Sequence, residues 1–179
     1  MAIINYLNLT YSTPTCTLTP STLDPLALSK STEIAEVINS GIQPLQNFTT
    51  MKDMSAMSGG KMDGKAYGKA AIIKGLAMIE GIIKSLYDGV SSSKARYCAG
   101  PSCSSLTVGD VCIVPQLYNA ARFGVDVQSN YPYLWNVGEF LKGLEPVRDA
   151  APEKQGDAQV PAAPAKPEGG EPEAKKTKK

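Results

Sequence analysis

Thr107-Val108-Gly109-Asp110 stands directly before the apolar run Val111-Cys112-Ile113-Val114. A threonine and an acidic residue three positions later can each accept a hydrogen bond from the other's free backbone N–H group. This is the capping-box arrangement at the start of an α-helix. The spacing predicts that a helix begins at Thr107, and it makes Thr107 and Asp110 structural residues.

A kinked helix is predicted on the N-terminal side of this segment. Asp24 can cap free N–H groups, and Pro25 suits the first helical position because its missing donor costs nothing there. Apolar residues between Ile34 and Leu45 then recur with the 3.6-residue period of an α-helix, which predicts a buried face. Pro44 removes the hydrogen bond to the carbonyl of Ser40, so we expect a kink that can shape a pocket.

Two more helices are predicted from the same periodicity. Apolar residues place one from about Ala66 to Tyr87. The last helix is marked by the leucines and valine between Leu134 and Leu144, and Pro146 is expected to close it. No segment alternates like a strand, so the predicted fold class is all-α.

The segment between the first two predicted helices is rich in glycine and methionine. We interpret residues 51–65 as a helix end followed by a mobile loop. The alternative is that the methionines bind a partner protein, because their flexible thioether side chains adapt to varied surfaces.

Composition divides the chain into three regions. Residues 1–23 carry no charge, with an apolar pattern over residues 2–9 and an extended connector rich in threonine and proline. Residues 24–150 form the predicted helical domain. Residues 151–179 contain one branched apolar residue among many Pro, Ala, Glu and Lys, so this tail is expected to be disordered alone. An acidic or phosphate surface on a partner would suit its terminal lysines.

The overall composition excludes several classes of protein. Lys and Arg total 18 against 17 Asp and Glu, which favours neither nucleic acid nor an anionic membrane as a general partner. No apolar run is long enough for a bilayer span. The chain has no histidine and no Cys-x-x-Cys pair, so no metal site is expected. Its four cysteines are interpreted as reduced thiols, although their even number leaves a disulfide pair open.

Three motifs together resemble the second, helical domain of zeta-class glutathione transferases, the maleylacetoacetate isomerase type. They are Gly41-Ile42-Gln43-Pro44-Leu45-Gln46-Asn47, the segment from Tyr97 through the cap at Thr107 to Gln116, and Asn119-Ala120-Ala121-Arg122-Phe123 with Tyr131-Pro132 after it. The resemblance covers residues 24–150. It implies a helical bundle of the kind that follows a thioredoxin-like domain, with residues 1–23 as a remnant of that domain and its linker.

The resemblance also implies two ligand contacts. Gln43 is expected near glutathione, and Arg122 is expected to bind the substrate carboxylate. The Ser-Ser-Cys motif with which the family activates the glutathione thiol has no counterpart among these residues. No catalytic residue is therefore assigned, and glutathione is an expected cofactor only if the missing first domain is supplied.

Three functions remain possible from the sequence. The leading hypothesis is a non-catalytic structural or interaction subunit of a larger assembly, a pseudoenzyme whose partner subunits cover the surface that once faced the first domain. The alternative is a fragment of a glutathione-dependent maleylacetoacetate isomerase. A third is a module that binds a small carboxylate through Gln43 and Arg122. The compartment is open, and either the cytosol or the mitochondrion is expected.

Overall fold

Nine α-helices form the described part of the chain. The computed structural model describes residues 1–13, 16–19 and 24–158. The helices are α1 (Ala2–Tyr11), α2 (Pro25–Glu36), α3 (Gln43–Gln46), α4 (Phe48–Met57), α5 (Gly64–Leu86), α6 (Val108–Arg122), α7 (Val127–Asn130), α8 (Pro132–Gly143) and α9 (Glu145–Asp149), with a π-helical turn (Val37–Ile42) and 3-10 turns at Ser92–Lys94 and Pro152–Lys154. Within those residues the one β-type contact is an isolated bridge between Thr13 and Cys16. The all-α prediction is confirmed for this part of the chain.

One hydrophobic core joins α2, α5, α6 and α8. Each helix contributes residues spaced three or four apart, which is the pattern that buries one face of a helix. The fully buried members include Ile34 and Ile42, then Ile72, Leu76, Ile79 and Ile83 of α5, Ile113 of α6, and Leu134, Val137 and Leu141 of α8. Burying each such side chain contributes about 1.5–3 kcal/mol. The predicted helical faces are therefore the core faces.

The expected kink before Pro44 takes the form of a π-helical turn. Val37–Ile42 is π-helical, and the backbone N–H of Gln43 donates to the carbonyl of Ile38, five residues earlier. The wider turn accommodates the missing proline N–H, and α3 resumes with Pro44 in its first turn. The helix predicted through Leu45 is thus continuous but locally unwound.

The interpretation of residues 51–65 as a helix end followed by a loop is confirmed for residues 51–63, whereas Gly64 and Lys65 already belong to α5. Residues 48–57 form α4, and Asn47 caps it by accepting a hydrogen bond from the Thr49 N–H at 2.9 Å. The sequence pattern for α4 is weak, because this helix buries no residue fully and two glycines, Gly59 and Gly60, follow soon after its end. Because α5 begins at Gly64, the connection to it is slightly shorter than expected.

The C-terminal boundary also differs from the prediction. The last predicted helix, α8, ends at Gly143, and Pro146 lies in the first turn of α9 instead of closing the preceding helix. The described start of the tail, which was expected to be disordered from Ala151, contains a 3-10 turn at Pro152–Lys154. Residues 14–15, 20–23 and 159–179 lie outside the described part, which leaves out part of the predicted connector and most of the predicted tail. Among the helices that the structure describes, none is long and apolar enough to cross a membrane.

Candidate functional site

The start of α6 is held by a buried chain of hydrogen bonds. The Gly109 N–H donates to Ser31 Oγ at 3.0 Å, the Ser31 hydroxyl donates to Thr107 Oγ1 at 2.6 Å, and the Thr107 hydroxyl donates to Asp110 Oδ2 at 2.7 Å. Asp110 also accepts the Thr107 N–H at 2.9 Å and the Cys98 N–H at 2.8 Å. The predicted capping box is confirmed. The network extends it to α2 and to the loop before α6.

Gly109 is required by this network. A Cβ atom at position 109 would lie 2.6 Å from Cys98 Sγ and 2.7 Å from the Ser31 carbonyl oxygen. The Cys98 thiol is buried there, and burial raises its pKa well above the ordinary value. The thiol therefore stays protonated, and its Sγ lies within hydrogen-bonding distance of Ser31 Oγ at 3.8 Å and of Thr107 Oγ1 at 3.5 Å. All four cysteines are free thiols.

The Asp110 carboxyl should make stability depend on pH. Burial raises its pKa, and the hydrogen bonds from Cys98 and Thr107 oppose this rise without cancelling it. Because the folded-state pKa exceeds the unfolded one, protonation stabilises the fold; this contribution is complete below the unfolded pKa and is lost as pH rises through the folded pKa. We expect the unfolding free energy of the wild type, relative to Asp110→Asn, to fall between about pH 3.5 and about pH 7. Urea titrations of both proteins at the two pH values measure this stability difference. A wild-type stability that rises with pH relative to Asp110→Asn would contradict the prediction.

The kink places Gln43 on the surface. Gln43 is the first residue of α3, and its side chain is exposed. The preceding residue, Ile42, is buried and lies against Gly75 of α5, where an added Cβ would meet Ile42 Cγ1 at 2.3 Å. The position of Gln43 is therefore set by close packing immediately beside it.

A pair of glutamines connects α3 to α6. Gln46 Nε2 donates to Gln116 Oε1 at 3.0 Å, and Gln116 Nε2 donates to Gln46 Oε1 at 3.1 Å. Gln116 is buried, so these amides satisfy each other away from water. This pair fixes the short helix that carries Gln43 against the helix that carries Arg122.

Arg122 is the last residue of α6. Gly124 follows with φ +66°, the Val125 N–H bonds the Ala120 carbonyl at 3.0 Å, and the Gly124 N–H bonds the Ala121 carbonyl at 2.9 Å. This is a Schellman motif, and a cation suits the helix C-terminus that it closes. The exposed guanidinium makes one long hydrogen bond, 3.4 Å, to Asn119 Oδ1. Arg122 is therefore positioned but available to bind a ligand.

Arg122 lines a surface cleft between α4, the start of α5 and the end of α6. The cleft has a volume of about 470 Å³. Phe48, Met51 and Phe123 provide apolar walls, and Lys52 and Lys65 add two cations to Arg122. An open, cationic cleft with apolar walls can bind a small organic anion.

The two predicted ligand contacts do not share this cleft. Gln43 is absent from its lining, whereas Arg122 contributes to it. The sequence pattern does not single out Phe48, Lys52 or Lys65: the two lysines fall in residues 51–65, interpreted as a helix end and loop, and Phe48 lies just before that segment. Asn47 was the available signal, since asparagine is among the preferred residues for capping a helix. The other predicted structural residue, Asp24, caps α2 by accepting the Ala27 N–H at 3.1 Å.

A second groove lies beside α1. It has a volume of about 410 Å³, and Ile4, Leu7, Leu18, Leu106 and Val111 contribute to its apolar lining. Helix α1 buries no residue fully, and Leu9 is 83% exposed. The described residues contain no group of three or more Cys, Asp or Glu side chains that could hold a metal ion.

No family model matches the chain. Individual relatives do: it is 33% identical over 157 residues to maleylacetoacetate isomerase of Mus musculus, covering 88% of this chain and 63% of that protein. It is 34% identical over 159 residues to the probable maleylacetoacetate isomerase of Vibrio cholerae, covering 88% of this chain and 67% of that protein. The chain thus spans about three-fifths of the length of the mouse relative.

Solved structures agree with these relatives. The crystal structure of maleylacetoacetate isomerase from Anaeromyxobacter dehalogenans 2CP-1, with dicarboxyethyl glutathione and citrate in its active site, superposes with a TM-score of 0.72. The sequence identity is 33%, over 90% of this chain and 66% of that one. Maleylpyruvate isomerase from Pseudomonas aeruginosa PAO1 superposes with a TM-score of 0.71 at 29% identity, over 88% of this chain and 76% of that one.

Proposed function

Because this chain belongs to the family of zeta-class glutathione transferases and maleylacetoacetate isomerases, we propose that it forms the helical half of a glutathione-dependent cis–trans isomerase. The observation that carries the proposal is Arg122, held at the end of α6 beside a cleft with apolar walls. This is the position at which the resemblance expects the substrate carboxylate to be bound. The alternative function considered from the sequence thus becomes the leading one.

The substrate is proposed to be a small dicarboxylic acid. The Anaeromyxobacter relative was solved with dicarboxyethyl glutathione and citrate, both carrying several carboxylates. Arg122 would form charge-assisted hydrogen bonds to one carboxylate. Phe48 and Phe123 would pack against the carbon chain and exclude water from it.

Glutathione is proposed to bind on the side of the domain that carries Gln43. The exposed side chain of Gln43 has an amide that can both donate to and accept from a peptide-like ligand. Activation of the thiol requires donors close to the sulfur, which stabilise the thiolate. Ser-Ser-Cys does not occur in these 179 residues, so thiol activation is proposed to depend on groups outside them.

Replacing Arg122 should impair the reaction strongly. We expect Arg122→Ala to lower kcat/KM for a maleyl substrate by about 10- to 100-fold, because a charge-assisted hydrogen bond contributes about 1.5–3 kcal/mol. The assay is glutathione-dependent isomerisation by the native protein that carries this chain. Arg122→Lys should recover part of the loss, since it keeps the charge but not the bidentate geometry.

Arg148→Ala is the matched control for Arg122→Ala. Arg148 is also an exposed arginine near a helix C-terminus, but it pairs with Asp149 at 3.6 Å and does not line the cleft. Activity should be unchanged in this variant. Equal activity of Arg122→Ala and the wild type would contradict the assigned role.

A structural subunit is the second candidate function, and α1 favours it. Ile3, Leu9 and Tyr11 are 75%, 83% and 70% exposed, and an apolar helix with this exposure needs a protein surface to cover it. Mass spectrometry of the native particle distinguishes the two functions. Many stoichiometric partner proteins without isomerase activity would support the subunit, whereas glutathione-dependent turnover would support the isomerase.

A further inference from the structure

Lys52 and Lys65 place two more positive charges in the cleft that contains Arg122. Lys52 lies on α4 and Lys65 in the first turn of α5, and all three cations are exposed. None of the three belongs to an ion pair in the part of the chain that the structure describes. Their charges therefore remain uncompensated by neighbouring side chains.

Asp63 does not neutralise this cluster. It is the acidic residue of the cleft lining, and its Oδ1 accepts the N–H of Lys65 at 2.9 Å and the N–H of Ala66 at 3.2 Å. The carboxylate is thus engaged in capping α5. Three cations against one capping carboxylate leave a net positive cleft, and a concave surface with apolar walls concentrates its potential.

The corner between α4 and α5 holds the lysines in place. The Gly64 N–H donates to Ser55 Oγ at 3.0 Å, and the Ser58 hydroxyl donates to the Ser55 carbonyl at 2.9 Å. A Cβ at Gly64 would lie 2.0 Å from the Met51 carbonyl oxygen, so the two backbones touch. The helices that carry the two lysines are therefore locked together at this corner.

We propose that Lys52 and Lys65 form a second carboxylate subsite, which makes them specificity-determining residues for dicarboxylates. The inference rests on the proposed function, in which Arg122 binds one carboxylate of the substrate. Maleylacetoacetate has a carboxylate at each end, and the lysines would bind the one that Arg122 does not hold. The apolar side chains of Met51 and Phe123 would pack against the substrate's carbon chain between its two carboxylates.

The test compares a dicarboxylate with a monocarboxylate of equal length. Succinate and butyrate are titrated into the 179-residue chain labelled with [13C]methyl-methionine at neutral pH and low salt. The Met51 methyl reports on the cleft, and the exposed methyl of Met78 on α5 reports on a surface outside it. We expect saturable shifts at Met51, with succinate binding about tenfold more tightly than butyrate.

Substitutions assign that preference to particular residues. Lys52→Met and Lys65→Met should each weaken succinate binding about threefold to tenfold, and the double variant should bind the two acids equally. Lys74→Met is the control, because Lys74 is an exposed lysine of α5 that does not line the cleft. Unchanged preference in the double variant, equal binding of both acids to the wild type, or no saturable shift at Met51 would each overturn the subsite.

The isomerase assay tests the proposed function separately. If turnover is glutathione-dependent but the lysine variants keep the succinate preference, the subsite is wrong and the function stands. If turnover is absent while the preference still depends on the lysines, the proposed function fails and the subsite remains.

Discussion

Asp110→Ala is expected to lower the free energy of unfolding by about 3–5 kcal/mol. The substitution leaves the N–H groups of Cys98 and Thr107 buried without an acceptor. Each unsatisfied buried donor costs about 1–3 kcal/mol, and the Thr107 hydroxyl loses its acceptor as well. Removing a desolvated carboxylate offsets part of this loss. Urea unfolding followed by far-UV circular dichroism measures the change.

Asp24→Ala provides the matched control for Asp110→Ala. Asp24 also begins a helix, but it accepts a single hydrogen bond from the Ala27 N–H and is exposed. Its loss should cost about 1 kcal/mol, the usual effect of losing an N-cap. If both variants lose about the same small amount of unfolding free energy, the buried network contributes no more stability than an ordinary N-cap.

Gly64→Ala is expected to destabilise the chain by about 3 kcal/mol and to displace α4. The added Cβ would lie 2.0 Å from the Met51 carbonyl oxygen and 2.7 Å from its carbonyl carbon. Both are backbone atoms, so no change of side-chain rotamer relieves the overlap. Denaturant unfolding measures the loss, and faster amide hydrogen exchange across residues 48–57 would locate it in α4.

Gly81→Ala on the same helix separates packing from helix propensity. No atom lies within 4 Å of the Cβ added at Gly81, so this substitution should stabilise the chain by about 0.5–1 kcal/mol. Equal effects of the two substitutions would show that α4 and α5 do not meet closely at Gly64.

The long helices were predictable because each one has a clear apolar period. Ile34 to Ile42, Ile72 to Ile83 and Leu134 to Leu141 all mark faces that the core buries. Helix α4 was not predicted as a separate helix, because it buries no residue fully and lacks such a period. Pro146 gives an ambiguous signal, because a proline can follow the end of one helix and also suits the first turn of the next, which is where it lies.

The candidate site was predictable only in part. Gln43 and Arg122 were proposed from motifs that resemble a known family, and both remain proposals for ligand binding. Lys52 and Lys65 gave no signal, because isolated lysines in a polar segment usually face solvent. They join Arg122 only when α4 and the start of α5 pack beside the end of α6.

Local interactions account for what the sequence determined by itself. The cap at Thr107 and Asp110, the Pro44 kink and the helical periods depend on residues close together in the chain, so their spacing predicts them. Tertiary structure decided which distant groups complete those elements. Ser31 and Cys98 close the network around Asp110, Gln46 pairs with Gln116, and the cleft cations converge. No local rule contains these contacts, because they exist only once helices far apart in sequence pack against one another.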